Sequence, residues 1–242
     1  MVELQNALLA ALPSVIRERW RPSFGLCEYR KGDALTLGRA SRFIYFPLTC
    51  VVITERQTDS GDRVFMRFTG ANFAIGLVDA LKLGEAPFAT RVCGAGHAIT
   101  VPRKVLFDSL EPEFIRVVAQ TLAMSRLAEG ALQLAHCARS HDAAQRLARA
   151  LAEADDCFGP RRSISLTHQE LSDIVVVRRE TVTSLLLAWA AVGTVRLARG
   201  SISILDRPAL RSLACDCYRS VQKFNGQELP MWRGLPWVDS RT

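Results

Sequence analysis

The sequence predicts an α+β chain: an N-terminal β-roll of jelly-roll type, a long helix, and a C-terminal helix-turn-helix with a hairpin wing. Three observations carry that expectation. Between Phe24 and Val101, short β-rich runs alternate with Gly/Asp turns. From Glu111 to Ala138, apolar and small residues recur at helical spacing. Leu166 to Leu186 then holds two short amphipathic patterns across a tight turn. The implied boundaries are 1–110 for the roll, 111–138 for the long helix, 139–214 for the winged helix-turn-helix and 215–242 for a C-terminal extension.

Composition is globular, with 49% of the 242 residues hydrophobic and 23% charged. No apolar run reaches bilayer length, so no membrane partner is expected. The N-terminus carries Glu3 and no basic cluster, which argues against a secretory signal. Seven scattered cysteines are odd in number, fitting reduced thiols in a cytoplasm better than a disulfide framework. The net charge of +7 is uneven. Residues 1–113 hold 14 Lys/Arg against 12 Asp/Glu, whereas residues 114–242 hold 17 against 12. That bias permits a nucleic-acid partner without requiring one.

In order along the chain, Leu4, Leu8, Leu12 and Val15 mark an amphipathic helix over 3–19 that Pro13 kinks or breaks. The runs F-I-Y-F, C-V-V-I-T, V-F-M-R-F and A-I-T-V read as strands. R-K-G-D at 30–33, D-S-G-D at 59–62 and G-A-G-H at 94–97 read as turns, and Leu77–Gly84 as a helical turn or two. Val117, Thr121, Met124, Ala128, Ala131 and Ala135 form a seam of near-heptad spacing. Such a seam suits a dimerisation helix or a core helix within one chain. Gly130 weakens that helix by roughly 1 kcal/mol against alanine. A-R-S-H-D-A-A-Q breaks the pattern as a hinge. Asp142 with Gln145 starts a helix to about Ala154, and D-D-C-F-G-P-R-R at 155–162 reads as a loop.

Thr167 is a helix cap with Glu170 as its capping-box partner, and Leu171 and Ile174 face inward. A second helix opens at Arg178 or Arg179, with Val182, Leu185, Leu186 and Trp189 buried. Its first turn presents Arg178, Arg179, Glu180 and Thr183 outward. An arginine there suits guanine O6 and N7, and a neighbouring glutamate suits cytosine N4. Thr167, Gln169 and Thr181 are short donors for phosphates, and His168 stands near one. V-R-L-A-R-G-S-I-S-I-L follows as a hairpin wing, with Arg196 and Arg199 placed for the DNA backbone. The bland alternative is a solvated helix pair.

L-T-H-Q-E-L-S-D-I, R-R-E-T-V-T and G-S-I-S-I-L-D-R-P-A-L resemble the DNA-binding domain of the Crp/Fnr superfamily of bacterial transcription regulators. The resemblance covers almost the whole chain, weakly in the roll and specifically from Leu166 to Leu210. F-I-Y-F-P-L-T-C-V-V and C-D-C-Y further resemble a subgroup of it. The resemblance implies a cyclic-nucleotide-binding-like sensor, a dimerisation helix and a Crp-type winged helix-turn-helix. It implies a cytoplasmic homodimer, not an enzyme, whose sensor allosterically positions two reading heads. Double-stranded DNA, a second copy and RNA polymerase would be its partners. Arg179 and Glu180 would be the principal base readers, Arg178 and Thr181 would lie at the backbone, and Thr167 and Gln169 would hold phosphates.

Two departures stand out. Val176 takes the place of the usual turn glycine, so the turn is either strained or reshaped. Ser184 stands where many relatives carry a second basic reader. A dimeric sensor or scaffold that no longer binds DNA is therefore the alternative.

In nucleotide-binding relatives, a Gly-Glu pair and an Arg-Ser/Thr pair cradle the cyclic phosphate. Here Gly76 precedes Leu77, Pro87–Phe88 falls near the arginine's place, and Arg91 is offset. Gly76, Leu77 and Arg91 thus form only a weak effector set. Burying a phosphate without a guanidinium carries a heavy penalty. The expectation is an apolar or empty pocket rather than a cyclic nucleotide, with the effector unassigned. The absence of an N-terminal group of four cysteines argues against an iron–sulfur cluster. Cys215 and Cys217 are too few ligands for zinc and are expected to pack, so no metal site is assigned. His97, His136, His141 and His168 show no paired spacing, and His136 or His141 faces the hinge. No nucleophile elbow, metal-ligand spacing or phosphate loop marks an enzyme.

Overall fold

The computed structural model describes residues 5–37, 41–58, 60–77, 88–109, 128–159 and 162–226. Leu4, residues 78–84 of the expected helical turn, the seam positions Val117, Thr121 and Met124, and the tail from 227 lie outside these residues.

Two short helices open the chain, Ala7–Ala11 (α1) and Ser14–Trp20 (α2), parted at Pro13, which has no N–H to extend the first. Asn6 caps α1 by accepting from the Leu8 and Leu9 N–H groups. Its amide donates to the carbonyls of Pro47 and Phe73, which pins the helix to the strands. Leu8, Leu9, Leu12 and Trp20 pack on Ile44, Phe46, Ile99 and Val101. Val15, assigned to the same buried stripe by spacing, is exposed. The break at Pro13 restarts the helix on a new face, so the earlier period does not carry across it.

Six strands follow among the described residues: Gly25–Tyr29 (β1), Phe43–Pro47 (β2), Val51–Gln57 (β3), Arg63–Thr69 (β4), Phe88–Gly94 (β5) and Gly96–Pro102 (β6). They form two antiparallel three-stranded sheets, β1-β6-β2 and β4-β3-β5. The sheets meet across Leu35, Tyr45, Cys50, Val52, Val92 and Ala98. Gly32 and Gly61, with φ of 97° and 88°, supply the left-handed turn positions that R-K-G-D and D-S-G-D signal.

The β4-β3-β5 sheet buries apolar residues on both faces. Alternation sends Val52 and Val92 into the roll and Val51, Ile53 and Cys93 outward. That outer face needs a cover, and the C-terminal half provides it. After Arg103–Ser109 (α3) and a helix through residues 128–140 (α4), the chain forms Ala143–Phe158 (α5), His168–Val175 (α6) and Arg179–Ala191 (α7). The strands Val195–Ala198 (β7) and Ser201–Ile204 (β8) then lead to Arg207–Leu213 (α8) and Cys217–Gly226 (α9). Leu147, Leu151, Ala154 and Phe158 of α5 join the outer residues of the sheet, and one continuous core runs from roll to helix-turn-helix. The approach is close: a Cβ at Gly70 would stand 2.8 Å from the Cys157 carbonyl oxygen.

The start of α5 matches the capping box predicted at Asp142. Its carboxylate accepts from the Gln145 N–H at 2.8 Å, and the Gln145 side chain accepts from the Asp142 N–H at 3.2 Å. The end differs, because the helix runs on to Phe158 and residues 155–158 are not a loop. Asp155 takes both arms of Arg207, at 2.7 and 2.9 Å. Asp156 accepts from Tyr218 at 2.9 Å and from Arg211 at 3.3 Å. These partners, 52 to 62 residues downstream, turn an apparently loop-like acidic pair into the clamp on α8 and α9. Along α4 the seam residues Ala128, Ala131 and Ala135 are exposed, and Leu132 is 71% exposed.

A candidate nucleic-acid interface

Thr167 caps α6 through its hydroxyl, which accepts from the Glu170 N–H at 3.1 Å, while Glu170 accepts from the Thr167 N–H at 2.7 Å. Leu171, Ile174 and Val175 turn into the core. Val176 then takes φ 54° and ψ 57°, a left-handed conformation, so the turn keeps its geometry instead of being reshaped around the valine. The bend closes when Ser172 Oγ donates to the Val177 carbonyl at 2.7 Å and the Val177 N–H donates to the Ser172 carbonyl at 3.2 Å. Because Val176 is 72% exposed, packing gives the strained residue little in return.

Arg178 is the first non-helical residue before α7, and no side chain caps that helix. Its inward face is Val182, Leu186 and Trp189, with Leu185 half-buried. Arg178, Arg179, Glu180 and Ser184 are exposed, and Thr181 and Thr183 are half-buried. Behind α7, β7 and β8 pair across Arg199–Gly200, with Gly200 at φ 67°. Ile164 adds a third strand position by exchanging both backbone hydrogen bonds with Ile202, at 2.7 and 2.9 Å. Arg196 and Arg199 lie exposed on this wing.

Leu166, Thr167, His168, Gln169, Arg179 and the wing residues Ala198, Gly200 and Ser201 line one concavity of about 410 Å³. The start of the first helix, the start of the second and the wing tip therefore share a surface. Not every predicted contact group is free there. His168 Nδ1 is 2.9 Å from Thr183 Oγ1, which also donates to the Arg179 carbonyl at 3.0 Å. Ser184 Oγ donates to the Glu180 carbonyl at 3.0 Å, and Gln169 Nε2 donates to Asp173 at 2.8 Å. Arg178, Arg179, Arg196 and Arg199 make no ion pair among the described residues.

Glu170, a capping residue in the sequence, has a second role that the sequence does not signal. Its carboxylate meets Arg91 of β5 at 2.5 Å and Lys31 of the roll at 3.8 Å. Burial opposes its charge, but hydrogen bonds from Thr167 and Arg91 and the Lys31 ammonium outweigh it, holding the carboxyl below its ordinary pKa. Lys31 also donates to the Ser165 carbonyl at 2.5 Å, and Arg162 donates to the Thr49 and Ala95 carbonyls, the latter at 2.6 Å.

Arg91, named in the weak effector set, is engaged outside the roll. Strand alternation points Arg91 out of the roll, opposite Thr90 and Val92, toward Glu55 and Glu170. Gly76 lies elsewhere, with an added Cβ 3.4 Å from the Phe43 carbonyl oxygen and 3.6 Å from the Leu37 side chain; Leu77 packs with the N-terminal core. Cys215 and Cys217, expected simply to pack, lie beside Cys137 near the end of α4 and His141 of the hinge.

A family model described as the Crp-like helix-turn-helix domain matches residues 145–213. Among solved structures, the chain is similar to a putative Crp/Fnr-family transcriptional regulator from Eubacterium rectale. Identity there is 16%, covering 87% of this chain and 99% of that one, with a TM-score of 0.63. FixK2 from Bradyrhizobium japonicum shares 17% identity over 79% of this chain and 98% of its own, with a TM-score of 0.62. A Crp/Fnr-family transcriptional regulator from Thermus thermophilus shares 25% identity over 78% and 98%, with a TM-score of 0.57. No curated protein sequence matches the chain.

Proposed function

From a chain that belongs to the Crp/Fnr superfamily, we propose a homodimeric regulator of transcription that binds a two-fold-related DNA sequence. The observation that carries the proposal is the pair Arg178 and Arg179. Both are exposed and unpaired among the described residues at the start of α7, and Arg179 shares a concavity with Thr167, Gln169 and the wing. The first turn of α7 enters the major groove. Arg179 forks onto guanine O6 and N7, and Glu180 accepts from cytosine N4. Thr167, Gln169, Arg178 and Thr181, with Arg196 and Arg199 on the wing, hold phosphates and fix register.

The exposed faces of Ala128, Ala131 and Ala135 support a second copy along α4, since they join no apolar core among the described residues. Two-fold pairing would set the reading heads about 34 Å apart, one helical turn of DNA. Glu170 would couple roll to reading head, because the carboxylate that starts α6 is held by two cations of the roll. A signal that moves Arg91 or Lys31 shifts the population of reading-head orientations. RNA polymerase would then be the partner that reads occupancy, and no catalytic step is required of the chain.

Selection of bound fragments from random duplexes tests this directly. The wild-type chain should enrich a palindromic motif, with binding that weakens steeply as salt rises. Arg179→Ala should cost about 1–3 kcal/mol and relax preference at one base step. Unaltered affinity and preference would refute the assignment. A scaffold without DNA binding is the second reading, favoured by Thr183 and Ser184 turning their hydroxyls onto their own helix. No binding even at low salt would establish it.

A further inference from the structure

Cys137 and His141 stand one helical turn apart where α4 ends, and Cys215 and Cys217 flank Asp216 where α9 begins. All four donor atoms lie within 4.8 Å of one another. Cys137 Sγ is 3.6 Å from Cys215 Sγ, and Cys217 Sγ is 3.5 Å from His141 Nδ1. A disulfide would need sulfurs about 2.05 Å apart, and all seven cysteines are free. A zinc tetrahedron with Zn–S of about 2.3 Å and Zn–N of about 2.0 Å has edges of about 3.5–3.8 Å. The Cys137–Cys215 and Cys217–His141 separations fall in that range.

Burial points the same way. The three cysteines are 1%, 5% and 2% exposed and form a cluster of their own, detached from the apolar cores. Three thiols alone make a poor core, because they bury little area and no larger apolar side chain among the described residues joins their cluster. Beside Cys137 lies the guanidinium of Arg149, 3% exposed; it pairs with Glu153 at 2.6 Å, yet its Nε has no hydrogen-bond partner. A cation buried against neutral thiols gains little. Against a tris-thiolate zinc centre, whose net charge is −1, it is the expected neighbour.

We propose that Cys137, His141, Cys215 and Cys217 bind one zinc ion as a closed structural site. Each thiol would lose its proton to solvent as a Zn–S bond forms, and neutral His141 would coordinate through Nδ1, keeping its proton on Nε2. With four protein ligands and no open position, the centre holds structure and performs no catalysis. It staples the end of α4 to the segment that follows the wing, so it fixes where α4 leaves the helix-turn-helix half.

The test uses the full-length chain purified under reducing conditions. Elemental analysis should find close to one zinc per chain. Replacing zinc by cobalt(II) should give thiolate-to-metal charge-transfer absorption and the intense visible bands of tetrahedral cobalt. Cys215→Ser and Cys217→Ser should each abolish or shift those bands, whereas Cys27→Ser, on β1, should leave them unchanged. Should the serine variants fail to fold, His141→Cys keeps four donors and should retain the metal with a shifted spectrum. Folded wild-type chain that takes up neither zinc nor cobalt would overturn the proposal. So would cobalt bands indifferent to loss of Cys215, or a Cys137–Cys215 disulfide found in place of metal.

Discussion

Val176 is the one non-glycine residue at positive φ among the described residues, and it is β-branched and exposed. The left-handed conformation costs such a residue about 1–2 kcal/mol, and glycine in its place gives up about 0.5–1 kcal/mol of chain entropy. Val176→Gly should therefore stabilise the protein by about 0.5–1 kcal/mol, read from the denaturant midpoint at constant m-value. Lower stability would mean that the isopropyl group makes contacts its exposure does not suggest. The conflict between valine and turn was legible in the sequence, because two flanking helix patterns leave the turn only three residues. The thiol cluster was not. Cys137 and Cys215 are 78 residues apart, and periodicity carries no record of which helix end meets which. A local signal did exist: a Cys and a His four apart at a helix end, in a chain that also holds a Cys-x-Cys pair.

Among the elements, α6 depends on a residue with two loyalties. Glu170 closes the capping box of its own helix and receives Arg91 and Lys31 from the roll. Its folded pKa lies below the unfolded value, so its contribution is complete above the ordinary carboxylate range. It is lost as pH falls through the depressed folded value. Glu170→Gln should lower stability by about 1–2 kcal/mol at neutral pH, combining a weakened cap with lost, partly screened ion pairs. The variant's stability should also fall less on acidification than the wild type's, as followed by chemical denaturation between pH 7 and 3. Parallel curves would place the acid sensitivity elsewhere. The capping box was plain from T-x-x-E spacing. Its external partner was not, although alternation along β5 sets Arg91 opposite Val92 and so outside the roll. The same gap in long-range information made Asp155 and Asp156 look like loop residues.

At the scale of the molecule, the order of roll and winged helix-turn-helix was readable from changes in period along the chain. The depth of contact between the halves was not, because the outer face of β4-β3-β5 looks like any buried strand face until its cover is known. Gly70 tests that contact. A methyl group there meets the backbone of Cys157, which has no side-chain freedom to yield. Gly70→Ala should cost about 1–3 kcal/mol, the usual penalty for overpacking. Hydrogen exchange should localise the loosening to α5 and β4. Full protection retained in both would show that the seam has slack.

A shared interior has a further result for the architecture. Roll and helix-turn-helix cannot be separated as stable modules, because each lends the other a wall. A fragment cut at the hinge and starting with Ala143 would carry Leu147, Leu151 and Phe158 bare to water, and should clump or bind detergent instead of folding alone. Evolution of the two halves would be yoked in the same way: residues exchanged on the oily side of the roll must be matched along the amphipathic rod that lies upon it.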